Sequence, residues 1–220
     1  MRRILEGHRN LPDDFAEVWK GRWTGQRCVI LANGPSLPST YDLARIDCPV
    51  IGINRSYQRH QSDIHIVVDK LHVRNYGDQL RDLLPNVLIL TRYNAPGCLT
   101  PHRLNYDEWE GSLLPDIADE GWIALGSGMV ALQVAAWLGF KEIIFAGLDL
   151  RHPMEHFYNE PQWMLDHMKT YGAESLERQR EYLSDVQPEL DERGIIVINT
   201  VMDAGEDILR KVEFDDIWRP

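Results

Sequence analysis

Three cysteines in 220 residues, Cys28, Cys48 and Cys98, are too few and too far apart to build a framework. Their number is odd and no CxxC pair occurs, which excludes a zinc ribbon and a disulfide scaffold. Small buried thiols in a reducing compartment remain. Long apolar runs are lacking too: the longest, Met129 to Leu138, is broken by Gln133 and too short to span a bilayer. The opening MRRILEGHRNLPDDF has basic residues with no apolar run behind them, unlike a signal peptide. Positive charge is scarce, with 23 Lys and Arg against 34 Asp and Glu and a formal net charge of −11. A chain that acidic lacks the footprint of a duplex nucleic-acid binder, although one basic pocket for a small phosphorylated ligand is compatible with it. These absences predict a cytoplasmic protein with no transmembrane segment and no nucleic-acid partner.

What is present is ordinary globular composition, 44% hydrophobic and 26% charged. The length suits one α/β domain over 1–220. Short aliphatic runs recur at Cys28 to Ala32, Val50 to Ile53, Ile64 to Val68, Val87 to Leu90, Ile143 to Ala146 and Ile195 to Ile198. Several are apolar throughout, as strands covered on both faces are. Helix candidates lie between them at Leu71 to Leu84, Ser127 to Leu138 and Ala173 to Glu192. The last carries Leu176, Tyr182, Leu183, Val186 and Leu190 as one buried stripe. A helix or arm ending at Trp23 and a final helix after Asp203 complete the pattern. The alternation predicts a Rossmann-like, doubly wound, mostly parallel sheet with helices on both faces. Two segments interrupt it, 92–122 and 151–168, and their aromatic content predicts small ordered lids. Trp137, Phe140 and Phe145 read as core.

Open parallel sheets bind ligands beyond the carboxyl ends of their strands. The residues there are Asn33, Gly34, Pro35 and Ser36, then Asn54, Asp69, Ser127 with Gly128, Asp149, and Asn199 with Thr200. Each alone reads as a cap or turn residue; together they predict a polar crescent that binds a nucleotide. Gly34 permits a tight turn and Pro35 stiffens it, so Ser36 and nearby N–H groups can meet phosphate oxygens. The turn is neither GxGxxG nor a Walker A loop, which argues against a dinucleotide cofactor and P-loop hydrolysis. Gly126-Ser127-Gly128 opens a helix whose N–H groups can face an anion, or else is an N-cap with close-packing glycines. His152 and His156 lie four apart beside Asp149, but Pro153 argues against the helix that would align them on a metal. No metal ligand is assigned; metal binding with Asp149, surface capping, phosphate contact and general base are the open readings for these histidines.

The stretches LANGPSL and GIN, and the block GSGMVALQVAAWLGFKEIIFAGLDL, resemble the bacterial lipooligosaccharide sialyltransferases and the related motility-associated glycosyltransferases. A related domain of the same signature is 6-hydroxymethylpterin diphosphokinase-like. The resemblance covers Arg27 to Leu150, with Ile195 to Asn199 as a last strand. It implies a nucleotide-activated sugar, typically a CMP-linked nonulosonic acid, held by Asn33, Gly34, Ser36, Asn54 and Ser127. It also implies inverting transfer to a glycan or small-molecule acceptor, with a lid histidine as base and lid tyrosines steadying the leaving phosphate. His156, His152 and Tyr158 are the candidates, and His167 is a further one. Ala124 and Leu125 stand where that family carries an arginine. A homo-oligomer is the assembly the resemblance implies. Two alternatives accompany this reading. One is ATP-dependent diphosphoryl transfer to a pterin-type alcohol, which needs Mg²⁺ on Asp69 and Asp149. The other is a non-catalytic nucleotide-binding module.

Overall fold

The computed structural model describes residues 11–69, 72–76, 78, 88–91, 98–99, 103–104, 110–123, 125–151 and 156–219. Strand β1 (Arg27–Leu31) is buried beyond its first residue and lies at the centre of the sheet. It pairs in parallel with β2 (Val50–Ile53) on one side and β7 (Glu142–Ala146) on the other. Outward from β2 come β3 (Ile64–Val67) and β4 (Leu88–Thr91); outward from β7 come β8 (Ile196–Asn199) and the short β9 (Arg210–Lys211). The order β4-β3-β2-β1-β7-β8-β9 is parallel at every pairing. β5 (Arg103–Leu104) and β6 (Trp122–Ile123) form a separate parallel ribbon. The sheet has the Rossmann-like, doubly wound form that the alternating pattern predicts.

Successive β-strand side chains point to opposite faces, and the core divides accordingly. Cys28, Ile30, Ile51, Ile64, Ile66, Ile143 and Phe145 face helix α3 (Ser127–Trp137) and the long helix α4 (Gln162–Glu192). Val29, Leu31, Val50, Ile144 and Ile198 face the opposite layer, where Leu43 of α2 (Thr40–Leu43) and Phe214 of α5 (Phe214–Ile217) pack. α3 is buried on every side apart from Ala136, so small residues are required along it. Its Gln133 is wholly buried, and its amide pairs with both backbone groups of Ile123 at 2.7 and 3.1 Å, anchoring β6. α4 buries Tyr182, Leu183, Val186 and Leu190 as predicted. α1 (Phe15–Trp19) stacks Phe15 on Trp137 at 5.3 Å, and Trp23 stacks on Phe140 at the same distance.

One expectation changes. α4 begins at Gln162 rather than near Ala173, so residues 162–168 are helix rather than irregular lid. Pro161, which fixes φ and needs no intrahelical N–H, stands at its N-cap. Of the predicted helix Leu71 to Leu84, the described part is helical at 72–76 and 78, and the rest lies outside the described residues. Cys28 and Cys98 are buried, and burial raises the Cys28 thiol well above its ordinary range and Cys48 to about 11. Neither is a thiolate near neutral pH. Among the described residues no helix is long and apolar enough to cross a membrane.

Candidate functional site

The chain lays β1 to β4 outward on one side and then crosses to build β7 to β9 on the other. The switch point therefore lies between the carboxyl ends of β1 and β7, where flanking connections diverge and leave a crevice. A cavity of about 340 Å³ opens there. Its floor includes Asn33, Gly34, Asn54, Asp69, Ser127, Gly128 and Asp149. Its far wall comes from His156, Tyr158 and Glu160 and from α4 through Met164, Met168, Tyr171 and Gln179. Seven residues of the predicted crescent and two of the lid candidates thus share one cavity.

The others lie elsewhere. Pro35 and Ser36 are not among the lining residues. The Ser36 hydroxyl instead donates to Asp149 Oδ2 at 2.7 Å, and Arg151 Nη2 lies 3.2 Å from Asp149 Oδ1. Gly34 makes this junction possible: a Cβ there would sit 1.8 Å from Asp149 Oδ2 and 2.6 Å from the Gly147 carbonyl oxygen. The Gly34 N–H donates to that carbonyl at 2.9 Å. Hence the glycine permits close approach of the β7 loop. Asn199 is wholly buried and fully engaged: its amide donates to Leu148 O and to Glu206 Oε1, each at 3.0 Å, and its oxygen accepts from Val201 N–H at 3.1 Å. It props the loop after β7 from behind. His152 lies outside the described residues, and His167 lies on α4.

Asn54 is one of two non-glycine residues with positive φ among those described, at 47°; the other is Leu150, at 51°. Both line the cavity. Left-handed backbone is disfavoured for residues with a Cβ, so surrounding contacts must hold it. For Asn54 they do: its N–H donates to Ile66 O at 3.1 Å, and its carboxamide oxygen accepts from the Ser127 hydroxyl at 3.0 Å. Its carbonyl meets His65 Nε2 at 2.8 Å. That contact makes Nε2 the protonated nitrogen, so Nδ1 accepts from the Ser62 hydroxyl at 3.1 Å. Burial lowers His65 to about 4, so the ring stays neutral. His65 fixes the loop that presents Asn54, a role its place inside an apolar strand conceals.

The far wall is pinned onto the floor. The Phe157 N–H donates to Asn33 O at 3.0 Å. The Arg55 guanidinium stands over Tyr158 at 4.2 Å and over Tyr76 at 5.1 Å, and reaches Asn159 O at 3.4 Å. His156 Nδ1 lies 2.7 Å from Glu160 Oε1. A carboxylate only accepts, so Nδ1 carries the hydrogen in this contact and Nε2 is the ring nitrogen left to exchange a proton. Burial, and then the charge of Glu160, pushes the Tyr158 phenol well above its ordinary range, so it stays a proton donor.

Three buried side-chain atoms along this cavity have no hydrogen-bond partner among the described residues: Asn33 Oδ1, His72 Nε2 and Glu160 Oε2. Asn33 is 6% exposed, His72 2%, and the Glu160 side chain 3%. An orphaned buried group costs about 1–3 kcal/mol, and three of the nine such atoms among the described residues belong to residues that line this cavity. Burial lowers His72 to about 4, despite the opposing charges of Glu160 and Asp69. His72 and Glu160 carry no motif, which is why sequence patterns pass over them.

Both carboxylates of the magnesium alternative already hold protein groups. Asp149 is taken by Ser36 and a guanidinium, and Asp69 Oδ1 accepts from the His72 N–H at 3.2 Å. No group of three His, Cys, Asp or Glu among the described residues is placed to hold a metal.

No family model matches the chain, and none of the curated proteins matches it. Solved structures similar to it include the sialyltransferase CST-II in complex with a trisaccharide acceptor and CMP. That match has 16% identity and a TM-score of 0.49, over 79% of this chain and 80% of the other. A second is the sialyltransferase CstII from Campylobacter jejuni in complex with cytidine-5'-monophosphate, at 17% identity and TM-score 0.44 over 80% of each chain.

Proposed function

We propose that the protein is a glycosyltransferase that takes a nucleotide-activated sugar in the switch-point cavity and passes the sugar, with inversion, to an acceptor hydroxyl. The observation that carries this reading is the pairing of two walls across one cavity. The floor offers Asn33, Asn54 and Ser127 beside the N-terminus of α3. The far wall offers a carboxylate-oriented imidazole and a protonated phenol. Cytidine monophosphate is the carrier that the NGPSL and SG-helix signature implies. The same residues form the nucleotide site, and the segment at 156–161 is its lid.

The chemistry follows from those groups. His156 Nε2 takes the proton of the acceptor hydroxyl, and Glu160 stabilises the imidazolium that forms. The acceptor oxygen attacks the anomeric carbon as the bond to the phosphate oxygen breaks, and the nucleotide leaves with that electron pair. Charge gathering on the phosphate meets the Tyr158 hydroxyl and the free N–H groups of the first turn of α3. Attack from the opposite face inverts the centre and needs no protein nucleophile. Thermal-shift measurements with CMP, UMP, ATP and their sugar conjugates, with and without magnesium, test the reading. Stabilisation by a pyrimidine nucleotide without magnesium supports it. Protection by ATP only with magnesium would replace it with diphosphoryl transfer, and binding without turnover on any acceptor would leave a nucleotide-binding module.

A further inference from the structure

One face of α4 changes its surroundings along its length. Leu183, Val186 and Leu190, three and four residues apart, are wholly buried in the core that α3 fills. The same face continued towards the N-terminus carries Gln179, Leu176, Tyr171, Met168 and Met164, and these line the cavity instead. The protein cover thins there: Met168 and Leu176 are half-buried, and Tyr171 is 56% exposed. Five large apolar side chains are exposed among the described residues, and Tyr171 is the one of them that lines the cavity. No cavity-lining residue of α4 among those described is charged. Helical rise then orders the stripe. Gln179 lies against Gly126 at the N-cap of α3, where an added Cβ would meet its Oε1 at 2.5 Å. At 1.5 Å per residue, Tyr171, Met168 and Met164 stand about 12, 17 and 22 Å back from it along the axis. That is the direction of Pro161 and of the His156–Glu160 pair. Polar Gln179 therefore sits at the end that the proposed function gives to the phosphate, and the apolar residues lie towards the base.

We propose that the overhanging half of α4, chiefly Met168 and Tyr171, is an acceptor subsite for an apolar group. The acceptor is then an amphiphile: its hydroxyl-bearing part reaches His156 while an alkyl or aryl part lies along this stripe. The inference rests on the glycosyltransferase reading and deepens it with an acceptor class. Unbranched methionines adapt their shape to an apolar partner, and the Tyr171 ring offers a broad apolar face. Docking of the apolar part removes from water the surface that the core leaves uncovered.

Calorimetric titration of the full chain tests it, with the protein saturated by CMP or UMP, whichever binds more tightly. The probes are methyl, octyl and phenyl β-galactoside and the matching β-glucosides, all kept below micelle-forming concentrations. The octyl or the phenyl glycosides, or both, should bind at least about tenfold more tightly than their methyl counterparts, and which of them does so separates an alkyl from an aryl group. Tyr171→Ala and Met168→Ser should each remove most of that preference, and Tyr171→Phe, which keeps the ring, should retain it. Met202→Ser, at an exposed apolar side chain that does not line the cavity, should leave the preference intact. Equal binding of methyl and apolar glycosides overturns the subsite, as does a preference that survives Tyr171→Ala and Met168→Ser. Nucleotide affinity should stay within about twofold in these variants; a fall as large as that for the glycosides would place the donor on the stripe and overturn the assignment. A nucleotide-loaded chain that binds no apolar glycoside sinks the subsite alone, whereas no binding by any nucleotide sinks the glycosyltransferase reading and the subsite with it.

Discussion

Asn33 and Asn199 are the same residue type, each just beyond or at the end of a buried parallel strand, and each is almost wholly buried. Asn199 uses both ends of its carboxamide on protein partners, whereas the oxygen of Asn33 has none among the described residues. The same contrast separates two histidines. His65 has a partner on each nitrogen, whereas His72 Nε2 has none among the described residues. It extends to two regions of the site. The junction beyond the ends of β1, β7 and β8, made of Gly34, Ser36, Asp149 and Asn199, is internally satisfied. The wall formed by Asn33, His72 and Glu160 is not. Burial alone does not separate scaffold from binding surface; for these two pairs the hydrogen bonds differ where the burial does not.

The contrast can be broken at several points. The largest effect is expected from Gly34→Ala, because the new methyl would overlap Asp149 and the Gly147 carbonyl. A loss of about 3 kcal/mol or more in urea denaturation is expected; a change below about 1 kcal/mol would show the junction to be soft. Next comes pH. Both histidines are held at about 4, below their ordinary 6.5. The unfolded chain binds protons near 6.5 that the folded chain refuses until about 4, so their contribution is complete above 6.5 and lost as pH falls through this window. Each ring accounts for up to about 3 kcal/mol. Denaturation midpoints measured from pH 7.5 to 4.5 should fall steeply, and His72→Phe should flatten the slope.

Asn199→Ala should cost about 2 kcal/mol by leaving Leu148 O, Glu206 and Val201 N–H short of a partner. Nucleotide affinity of the folded fraction should stay within about threefold, read by calorimetry. Asn33→Ala should show the reverse and the smallest change in stability, within about 1 kcal/mol, while affinity for the nucleotide sugar falls about tenfold. If the two asparagine variants behave alike, the distinction between scaffold and binding wall is lost.

Much of this was legible in the residues. The central strands declared themselves as continuous apolar runs, and observed ends differ from the predicted ones by a residue at most, as at Leu88–Thr91 and Ile196–Asn199. The ribbon strands Arg103–Leu104 and Trp122–Ile123, and edge strand Arg210–Lys211, have two residues each, too few for any period to register. The early start of α4 was hidden because His167 and the aromatics around it read as loop chemistry, while a proline at the N-cap gives a helix start without a polar signal. Within the site, position after a strand found Asn33, Asn54, Ser127 and Asp149. It could not tell that Ser36 and Asn199 spend their polar groups on the protein itself. Nor could it find His72 or Glu160, whose significance lies in lacking partners, a property of three-dimensional surroundings and not of residue type.

The place of β1 also bears on how the molecule comes into being. Arg27 lies in register with Glu142, so the strand that forms one lip of the crevice waits for a partner far along the chain. Pairings of such long sequence separation close late and slow folding. On the ribosome, β1 to β4 can associate while β7 is still unmade, yet the crevice has only one side until the later strand docks. Ligand competence therefore arrives as a late step of biogenesis, and a chain truncated before β7 should hold half a sheet and no cavity.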